Sequence, residues 1–416
     1  MSNSHQPEIS KASVVLFNVK YSANLGDGVL SECLEGGLVN YGFASDKVRS
    51  ADLAARTKFS VNSAGRGRLL SLLDGMPKNL RQSLLMIPLR YLLKSKWSPF
   101  YGRNLNVADV VVVGGGNLFT DMDRNFPTKI SAVMRLAAKR NLPLAIYGVG
   151  ASGVWSDASI REMRKALEAC RPFYISVRDE QSKSTFESLF ADSIGCQVAV
   201  VRDPGILASR HYVSRQLSNS QVSGASRKKI GLCVTAGSAL RYHSDLTLDD
   251  EKLRDLYQEC AVGLIEKGFD IALFTNGSSE DRSFLENELS HLKTKYPSHV
   301  QIQQADTPDQ LVSIISSLDA LVAHRMHALI VAFSYNIPIA ALSWDPKIRA
   351  FMDSVGMSSA TLDTAHTSSV EIINNVVQLL STNSVPDNSA FIDESTEHIN
   401  LLGQAIEQAL AKKLGR

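Results

Sequence analysis

The chain has 416 residues, of which 44% are hydrophobic and 21% charged, with a formal net charge of +2. This length exceeds one ordinary core and predicts two domains of roughly 200 residues, and so small a net charge excludes a global attraction to nucleic acid. The five cysteines are scattered without a C-x-x-C pair or a zinc-type cluster, which argues against a disulfide scaffold or a structural zinc.

The sequence predicts neither export nor a membrane-spanning helix. Residues 1–10 are polar and lack the apolar core of a signal peptide, and no run of about 18 uncharged apolar residues occurs. We therefore expect a cytoplasmic protein. We expect no bound metal, because no cluster of carboxylates demands one.

The first βα unit carries a candidate site. An apolar strand over 13–17 is followed by Asn24, Gly26 and Asp27 and then by an amphipathic helical pattern. This turn would place backbone N–H groups and one carboxylate at the carboxyl end of the strand, where α/β sheets bind ligands. Asp27 as a plain helix N-cap explains the same residue equally well, so both roles stay open.

Residues 56–103 differ in composition from the rest of the first half. They contain ten Lys or Arg against the single acid Asp74, together with an apolar run over 84–93 and Trp97. One interpretation is peripheral contact with an anionic membrane or with a lipid-phosphate-linked substrate. The other is a solvated basic face whose apolar side packs on the domain.

The alternation of strands and helices resumes at residue 108. Gly115 and Gly116 follow the strand 108–113 within a run of three glycines, where the backbone can approach a ligand closely. Residues 148–153 match the dinucleotide-binding pattern G-x-G-x-x-G. We do not favour a dinucleotide site, because that pattern normally opens the first βαβ unit of a domain.

Two further features close the first half. Arg178 follows the strand 172–177 and is a second cation at a strand's carboxyl end, and residues 214–229 have the Ser, Gln and Gly content of a linker. The predicted organisation is a Rossmann-like domain over 1–213 with the basic insertion 56–103, a linker over 214–229, and a second Rossmann-like domain over 230–385. A helix within 386–416 could pack back on the first domain.

The second half contains the stretch with the most chemistry. His324, Arg325 and His327 lie at the junction between an apolar strand over 320–323 and a helix. A helix N-terminus with a guanidinium and two imidazoles would form a pocket for a small, strongly anionic molecule. A set of residues that merely caps the helix and meets solvent is the alternative.

Several short motifs occur along the chain, namely Asn24-x-Gly26-Asp27, Gly114-Gly-Gly116, Val177-Arg178-Asp-Glu-x-Ser182, Asp203-Pro204, Arg325-Met-His327 and Asp345-Pro-Lys347. As a set and in this order they resemble the motifs of polysaccharide pyruvyl transferases. The resemblance spans roughly residues 13–360 and departs from the family at Met326, where Leu is usual, a near-isosteric change. The basic insertion lies outside it.

The resemblance implies a GT-B-like fold, in which two Rossmann-like α/β domains face each other across a cleft. It also implies transfer of pyruvate from phosphoenolpyruvate onto two hydroxyls of a sugar as a cyclic ketal, in the synthesis of exopolysaccharide or another cell-surface polysaccharide. Phosphoenolpyruvate would be the donor substrate, and no cofactor is expected.

The same resemblance suggests a role for each candidate residue. Arg178, Arg325 and His327 would bind phosphoenolpyruvate. His327 would be the acid, with Arg325 beside it, and Asp27 a base or a group that orients the acceptor. The remaining candidates for substrate binding are Asn24, Gly115, Gly116 and Lys347, and for Lys347 an ordinary surface position remains the alternative.

Two rival functions stay open at this point. A GT-B glycosyltransferase would use the same cations for the diphosphate of a nucleotide-sugar, and a noncatalytic module would bind an anionic sugar without turnover. The acceptor could be a lipid-linked oligosaccharide, with the basic insertion holding the enzyme at the inner face of the cytoplasmic membrane. No nucleic-acid partner is expected.

Overall fold

The structure is a computed structural model that describes residues 10–59, 78–121, 123–212, 227–241, 249–382, 387–413 and 415. Residues 60–77 of the predicted insertion lie outside this part of the chain, as does the predicted linker 214–229 apart from residues 227–229. Within the described residues, no helix is both long enough and apolar enough to cross a membrane.

The strands form two parallel six-stranded sheets, one from each half of the chain. The first sheet has the order β2-β1-β3-β4-β5-β6 and the second β12-β11-β10-β7-β8-β9. The strands are β1 Val14–Asn18, β2 Val48–Asp52, β3 Val110–Thr120, β4 Leu144–Ser152, β5 Tyr174–Val177, β6 Val198–Val200, β7 Lys229–Cys233, β8 Asp270–Phe274, β9 Val300–Ile302, β10 Ala320–Ala323, β11 Ile339–Ser343 and β12 Thr361–Asp363.

Helices cover both faces of each sheet. In the first half they are α1 Leu25–Tyr41, α2 Lys78–Leu92, α3 Ser98–Leu105, α4 Asn125–Ala138, α5 Asp157–Cys170, α6 Glu180–Phe190 and α7 Ala208–His211. In the second half they are α8 Gly237–Arg241, α9 Asp250–Glu266, α10 Ser279–Phe284, α11 His291–Lys295, α12 Pro308–Ser316, α13 Met326–Ser334, α14 Pro346–Ser354, α15 Ser369–Thr382 and α16 Ser389–Lys413. Short π-helical turns follow α2 (Leu93–Trp97) and α10 (Leu285–Leu289).

The apolar runs of the sequence explain why the sheets are covered on both sides. The four valines Val110 to Val113 are completely buried, as expected for a parallel strand with helices on both faces. The predicted fold class, two Rossmann-like α/β domains of GT-B-like type, is confirmed. In each sheet the strand order reverses direction once, between β1 and β3 and between β7 and β10, and ligands of open α/β sheets bind at such points.

The glycine run after residue 113 does not end its strand. Strand β3 continues through Gly115 and Gly116 to Thr120, with an irregular register between Gly116 and Phe119. Both glycines have φ near +80°, at +82° and +83°, a backbone conformation that costs other residues energy. The strand therefore continues through the glycines, whereas the sequence predicts a strand that ends at residue 113.

The two halves are joined behind the cleft. The Ser334 hydroxyl in α13 donates to the Ile206 carbonyl at 2.6 Å, and the Asn388 amide donates to the Ser334 carbonyl at 2.9 Å. Helix α16 packs on α1 so closely that a Cβ at Gly37 would lie 2.6 Å from Ile399. These contacts hold α13 and α1, two of the helices that begin at the cleft, in fixed relation.

Candidate functional site

The candidate site is a cavity of about 220 Å³ between the carboxyl edges of the two sheets. Both halves of the chain contribute to its wall. The lining residues are Val19, Asn24, Asp27, Asn117, Thr120, Phe126 and Arg178 from the first half, and Asn276, His324, Arg325, Met326, His327, Trp344, Asp345, Lys347 and Ile348 from the second.

The amino end of α1 forms one wall. Asn24 is its N-cap and accepts a hydrogen bond from the Gly26 N–H at 3.3 Å. The Leu25 N–H donates across the cleft to the Asn276 carbonyl at 2.7 Å, and the Asn276 amide approaches Asn24 Oδ1 at 3.4 Å. Asn24 thus lines the cavity and also helps to join the two domains.

Gly26 lets the second domain approach this wall. A Cβ at Gly26 would lie 2.3 Å from the Cβ of His327, a distance no side chain tolerates. The His327 ring therefore rests against the first turn of α1. The glycine of the Asn24-x-Gly26-Asp27 motif is thus required by the close approach of His327, which lies about 300 positions away in the chain.

His327 and Asp27 form a pair across the cleft. Their Nδ1 and Oδ1 atoms are 3.5 Å apart, and His327 Nε2 is buried without a hydrogen-bond partner among the described residues. Burial lowers the pKa of His327; Asp27 opposes this, and Arg178 and Arg325 reinforce it. Burial also raises the pKa of the Asp27 carboxyl, with His327 opposing. The pair can hold and release a proton in a site largely shielded from water.

Arg325 is fixed by a carboxylate that the sequence did not point to. Its Nε and Nη2 donate to Asp281 Oδ2 at 3.0 and 2.5 Å, and Asp281 Oδ1 accepts from the Ala236 N–H at 2.9 Å. Burial alone would lower the pKa of Arg325, but Asp281 outweighs it and the pKa is raised. Asp281 is completely buried, so the guanidinium is held in one orientation while it remains charged.

The amino end of α13 is open toward the cavity. Arg325 occupies the N-cap position, and no side chain in the described residues caps this helix. By contrast, Asn24 caps α1 and Asp345 caps α14. An uncapped helix start presents free N–H groups and the positive end of the helix dipole, which together bind anions.

Arg178 approaches from the first domain. Its side chain is only 5% exposed, and a Cβ at Gly150 would lie 2.9 Å from its Cζ. Asp179 caps α6 by accepting from the Ser182 N–H at 2.6 Å, and the Ser182 hydroxyl accepts from the Ala151 N–H. Within this motif, therefore, Asp179 and Ser182 are structural and Arg178 faces the cavity. Gly150 makes room for Arg178, which accounts for part of the G-x-G-x-x-G pattern.

Lys347 lines the cavity and is not an ordinary surface lysine. Its Nζ lies 3.4 Å from Asp345 Oδ2, and its side chain is 22% exposed. Burial lowers the pKa of Lys347, with Asp345 opposing and Arg178 reinforcing. Arg178 and Lys347 line the same cavity, although they come from different domains.

Three of the predicted site residues, Gly115, Gly116 and His324, differ from the rest in their position or their burial. Gly115 packs against Leu30, and Gly116 lies near Asp27. Neither glycine is among the residues that line the cavity. His324 lines it but is fully buried, with Nδ1 2.7 Å from the Tyr257 hydroxyl. Burial lowers the pKa of His324 to about 3, so this imidazole is neutral.

Sequence reasoning missed Asn117, Asn276 and Asp281. Asn276 follows the carboxyl end of β8 and could have been found by the same rule that identified Arg178, namely a polar residue directly after a strand. Asn117 directly follows the three glycines of β3, and the pattern pointed to the backbone of those glycines and not to the Asn117 side chain. For Asp281 the sequence carried no signal, because an acid in the first turn of a helix is common.

Comparisons with solved structures show the fold. The chain is similar to UDP-GlcNAc 2-epimerase from Neisseria meningitidis bound to UDP-GlcNAc, with 13% identity and a TM-score of 0.54 over 95% of this chain and 100% of that one. The N-terminal domain of Candida albicans trehalose-6-phosphate phosphatase gives 9% identity and a TM-score of 0.51 over 99% of both chains. Two such different proteins share the architecture, so it does not select a reaction.

Sequence comparisons give the family. A kinesin-like protein KIN-7E from Arabidopsis thaliana is 29% identical over 154 residues, which is 35% of this chain and only 17% of that protein, and so short a match carries no function here. The sequence model of polysaccharide pyruvyl transferases matches residues 24–346. These limits enclose Asn24, Arg178 and His327. The chain belongs to the polysaccharide pyruvyl transferase family.

Proposed function

We propose that the chain transfers pyruvate from phosphoenolpyruvate onto two hydroxyls of a sugar, giving a cyclic ketal. The observation that carries the proposal is the uncapped amino end of α13, which meets Arg178, Arg325 and the His327–Asp27 pair in one cavity. Membership in a family of transferases supports it. A small donor with two anionic groups suits such a site.

The two anionic groups of phosphoenolpyruvate would be bound from opposite sides of the cleft. The N–H groups of α13 and the Arg325 guanidinium offer one set of donors, and Arg178 with Lys347 offers another. Charge-assisted hydrogen bonds of this kind are about twice as strong as neutral ones. Each cation already has a carboxylate close by, Asp281, Asp179 or Asp345, so the cations are positioned before the donor binds.

The chemistry assigned to this chain is proton transfer and charge stabilisation. His327 gives its proton to the methylene carbon of the donor, and the cationic carbon that forms accepts the first sugar hydroxyl. The proton of that hydroxyl returns to the His327–Asp27 pair. The carbon–oxygen bond to phosphate then breaks, the second hydroxyl adds to the same carbon, and its proton leaves with inorganic phosphate. No electrons are transferred overall, so we propose no cofactor.

In this scheme Asp27 acts through His327. Its carboxylate raises the pKa of His327 against the effect of burial and so favours the protonated acid. The same carboxylate lines the cavity and can accept the hydroxyl proton. The five cysteines are free, which suits the cytoplasm, where the ketal would be added to a precursor of exopolysaccharide or another surface polysaccharide.

The test is to incubate the purified protein with phosphoenolpyruvate and a panel of sugar acceptors and to follow phosphate release. Acceptor-dependent release, with a ketal product detected by mass spectrometry, is the expected result. His327→Asn should abolish it at unchanged thermal stability. His291→Asn, the same change at an exposed histidine, is the matched control.

Two other outcomes would replace this proposal. The structural relatives include an enzyme bound to UDP-GlcNAc, so release of nucleotide from a nucleotide-sugar, with indifference to phosphoenolpyruvate, would identify a glycosyltransferase. Binding of an anionic sugar without any turnover would identify a noncatalytic module. The assays for nucleotide release and for binding without turnover use the same protein preparation and acceptor panel.

A further inference from the structure

Helix α2, within the basic insertion, is apolar on two faces. On the inner face Leu85 is buried, and Leu89 packs against the core of the first domain, as does Leu93 in the next turn. One apolar face is sufficient to attach a helix to a domain. The outer face is nevertheless apolar too. Its exposed side chains are Leu84 (43%), Ile87 (72%), Tyr91 (71%) and Leu92 (37%).

These outer side chains form one continuous stripe. At 100° per residue, positions 84, 87, 91 and 92 fall within an arc of about 140°, which excludes the inner positions 85 and 89. Pro88 lies inside the same arc and is exposed. Single exposed apolar residues are ordinary, but a contiguous stripe of this kind marks an interaction surface. We call residues 84, 87, 88, 91 and 92 the outer stripe.

The charged residues in the sequence around the outer stripe are all basic. Between residues 75 and 108 the sequence contains six Lys or Arg and no Asp or Glu. Of these, Arg90, Lys94 and Lys96 are exposed and flank the stripe. An apolar stripe bordered by cations, with an amphipathic tyrosine inside it, is the pattern of helices that lie in the interface of an anionic membrane.

We propose that the outer stripe and its flanking cations bind the surface of a membrane that contains anionic lipid. A second copy of the chain suits this surface less well, because a symmetric contact would bring two sets of cations together. Lipid headgroups satisfy the cations, and the acyl region takes Ile87 and Tyr91. The idea that the apolar side simply packs on the domain accounts only for the inner face.

The surface lies on the same rim as the cleft. The Trp97 ring, just after α2, lies 4.4 Å from Lys129 Nζ in the first turns of α4, and α4 starts where β3 ends. The Tyr101 hydroxyl donates to the Leu53 carbonyl, directly after β2. Both contacts are at the carboxyl edge of the first sheet. If the proposed transfer is correct, the membrane would therefore present a lipid-linked acceptor near the cleft, a step that rests on the proposed function.

The experiment is vesicle flotation of the full chain with phosphatidylcholine alone and with added phosphatidylglycerol. The wild type should float only with the anionic vesicles and less at high salt. Reversing three cations (Arg90→Glu, Lys94→Glu, Lys96→Glu) should lower binding by at least about 100-fold, since each cation near an anionic surface contributes about fivefold. Replacing Ile87 and Tyr91 by Ser should lower it by at least about tenfold.

Matched controls change the same chemistry elsewhere on the surface. Exposed Val154 and Val370 (77% and 61% exposed) replaced by Ser, and exposed Lys165, Lys267 and Lys293 replaced by Glu, should leave flotation unchanged. The proposal is overturned if the wild type ignores anionic vesicles at low salt or if both stripe variants float as the wild type does. A dimer that the Ile87 and Tyr91 changes dissociate would also overturn it, because the surface would then be a self-interface.

This test does not depend on turnover. If the protein floats but never releases phosphate from phosphoenolpyruvate, the membrane proposal is supported and the proposed reaction is refuted. If the protein releases phosphate with a short soluble acceptor but does not float, the proposed reaction is supported and the membrane proposal is refuted. The variant with three reversed cations and the variant changed at Ile87 and Tyr91 should both retain turnover of a soluble acceptor, since none of these residues lines the cavity.

Discussion

The two guanidiniums that meet in the cleft are held by different means. Arg325, from the second domain, donates twice to Asp281, which is completely buried and tied to the Ala236 N–H. Arg178, from the first domain, has one long contact of 3.4 Å to Asp179 and is positioned by the space that Gly150 leaves. One arginine is fixed by a charge pair, the other by packing.

The difference shows that similar roles in a site impose different costs on the fold. A buried charge pair contributes little net stability when intact but becomes very costly when one partner is removed. A packed arginine can be removed with a smaller loss. The two positions should therefore be equally sensitive in activity and unequally sensitive in stability.

The largest expected effect comes from removing either arginine. Arg178→Ala and Arg325→Ala should each cost about 2 to 5 kcal/mol in kcat/KM, because each loses a charge-assisted contact to the donor. Arg325→Ala should also destabilise the fold by about 3 to 5 kcal/mol, since Asp281 is left buried and unpaired. Arg178→Ala should cost about 1 to 2 kcal/mol. Phosphate-release kinetics and urea unfolding measure the two quantities.

A second change separates the two effects of Arg325→Ala. Adding Asp281→Asn removes the unpaired charge, so stability should partly return while activity stays absent. The comparison fails if Arg178→Ala unfolds as readily as Arg325→Ala, or if Asp281→Asn gives no recovery. Normal turnover in either single variant would remove that arginine from the site.

A smaller effect is expected from Gly150→Ala, which tests the packed arginine without changing any charge. The new Cβ would lie 2.9 Å from Arg178 Cζ and 2.7 Å from Asn117 Oδ1, so the guanidinium must shift. A displacement of about 1 Å can cost about 100-fold in rate, and we expect kcat/KM to fall by that order. Gly195→Ala, with no heavy atom within 4 Å of its added Cβ, is the matched control. An active Gly150→Ala enzyme would mean that Arg178 is not held by packing.

These residues also mark what the sequence could and could not predict. Most strands followed from apolar runs such as 110–113 and from helical periodicity between them, because burial on both faces leaves a clear pattern. The edge strands β2 and β12 were not predicted, since neither contains such a run. Arg178 and Arg325 followed from one rule, that polar residues directly after parallel strands meet at one edge. That rule needs no knowledge of packing.

Other features depend on packing and were out of reach. Asp281 lies 44 residues from Arg325, and nothing in its local sequence distinguishes a buried partner from a solvated acid. The apolar run over 84–93 predicted an apolar face beside the cations but could not say that a second apolar face stays exposed. The apolar run over 108–113 predicted a strand that ends at residue 113, because it cannot show that glycines with positive φ continue the strand.

Asp27→Asn tests whether the carboxylate acts through His327, with an expected loss of about 100-fold. In the proposed mechanism His327 must be protonated, so kcat/KM falls as pH rises through its pKa, which burial places below the ordinary 6.5 in the free enzyme. Asp27 raises that pKa, and its removal should move the fall to lower pH. A pH profile of kcat/KM measures the shift. If activity is lost without a shift, Asp27 is a base for the acceptor and not a partner of His327.

The smallest effect concerns His324, the buried imidazole that precedes Arg325 in the chain. His324 is neutral when folded, because burial lowers its pKa to about 3, whereas the unfolded chain takes up the proton near pH 6.5. Between these values the unfolded state binds the extra proton, so this group lowers the free energy of unfolding by about 1.4 kcal/mol for each pH unit of acidification. That loss should disappear in His324→Gln, which keeps a partner for the Tyr257 hydroxyl. Urea unfolding at several pH values below 6 gives the difference between the two proteins, in which other titrating groups cancel, and the same change at exposed His366 is the control. A parallel pH dependence in wild type and His324→Gln would show that the imidazole is solvated or charged in the fold.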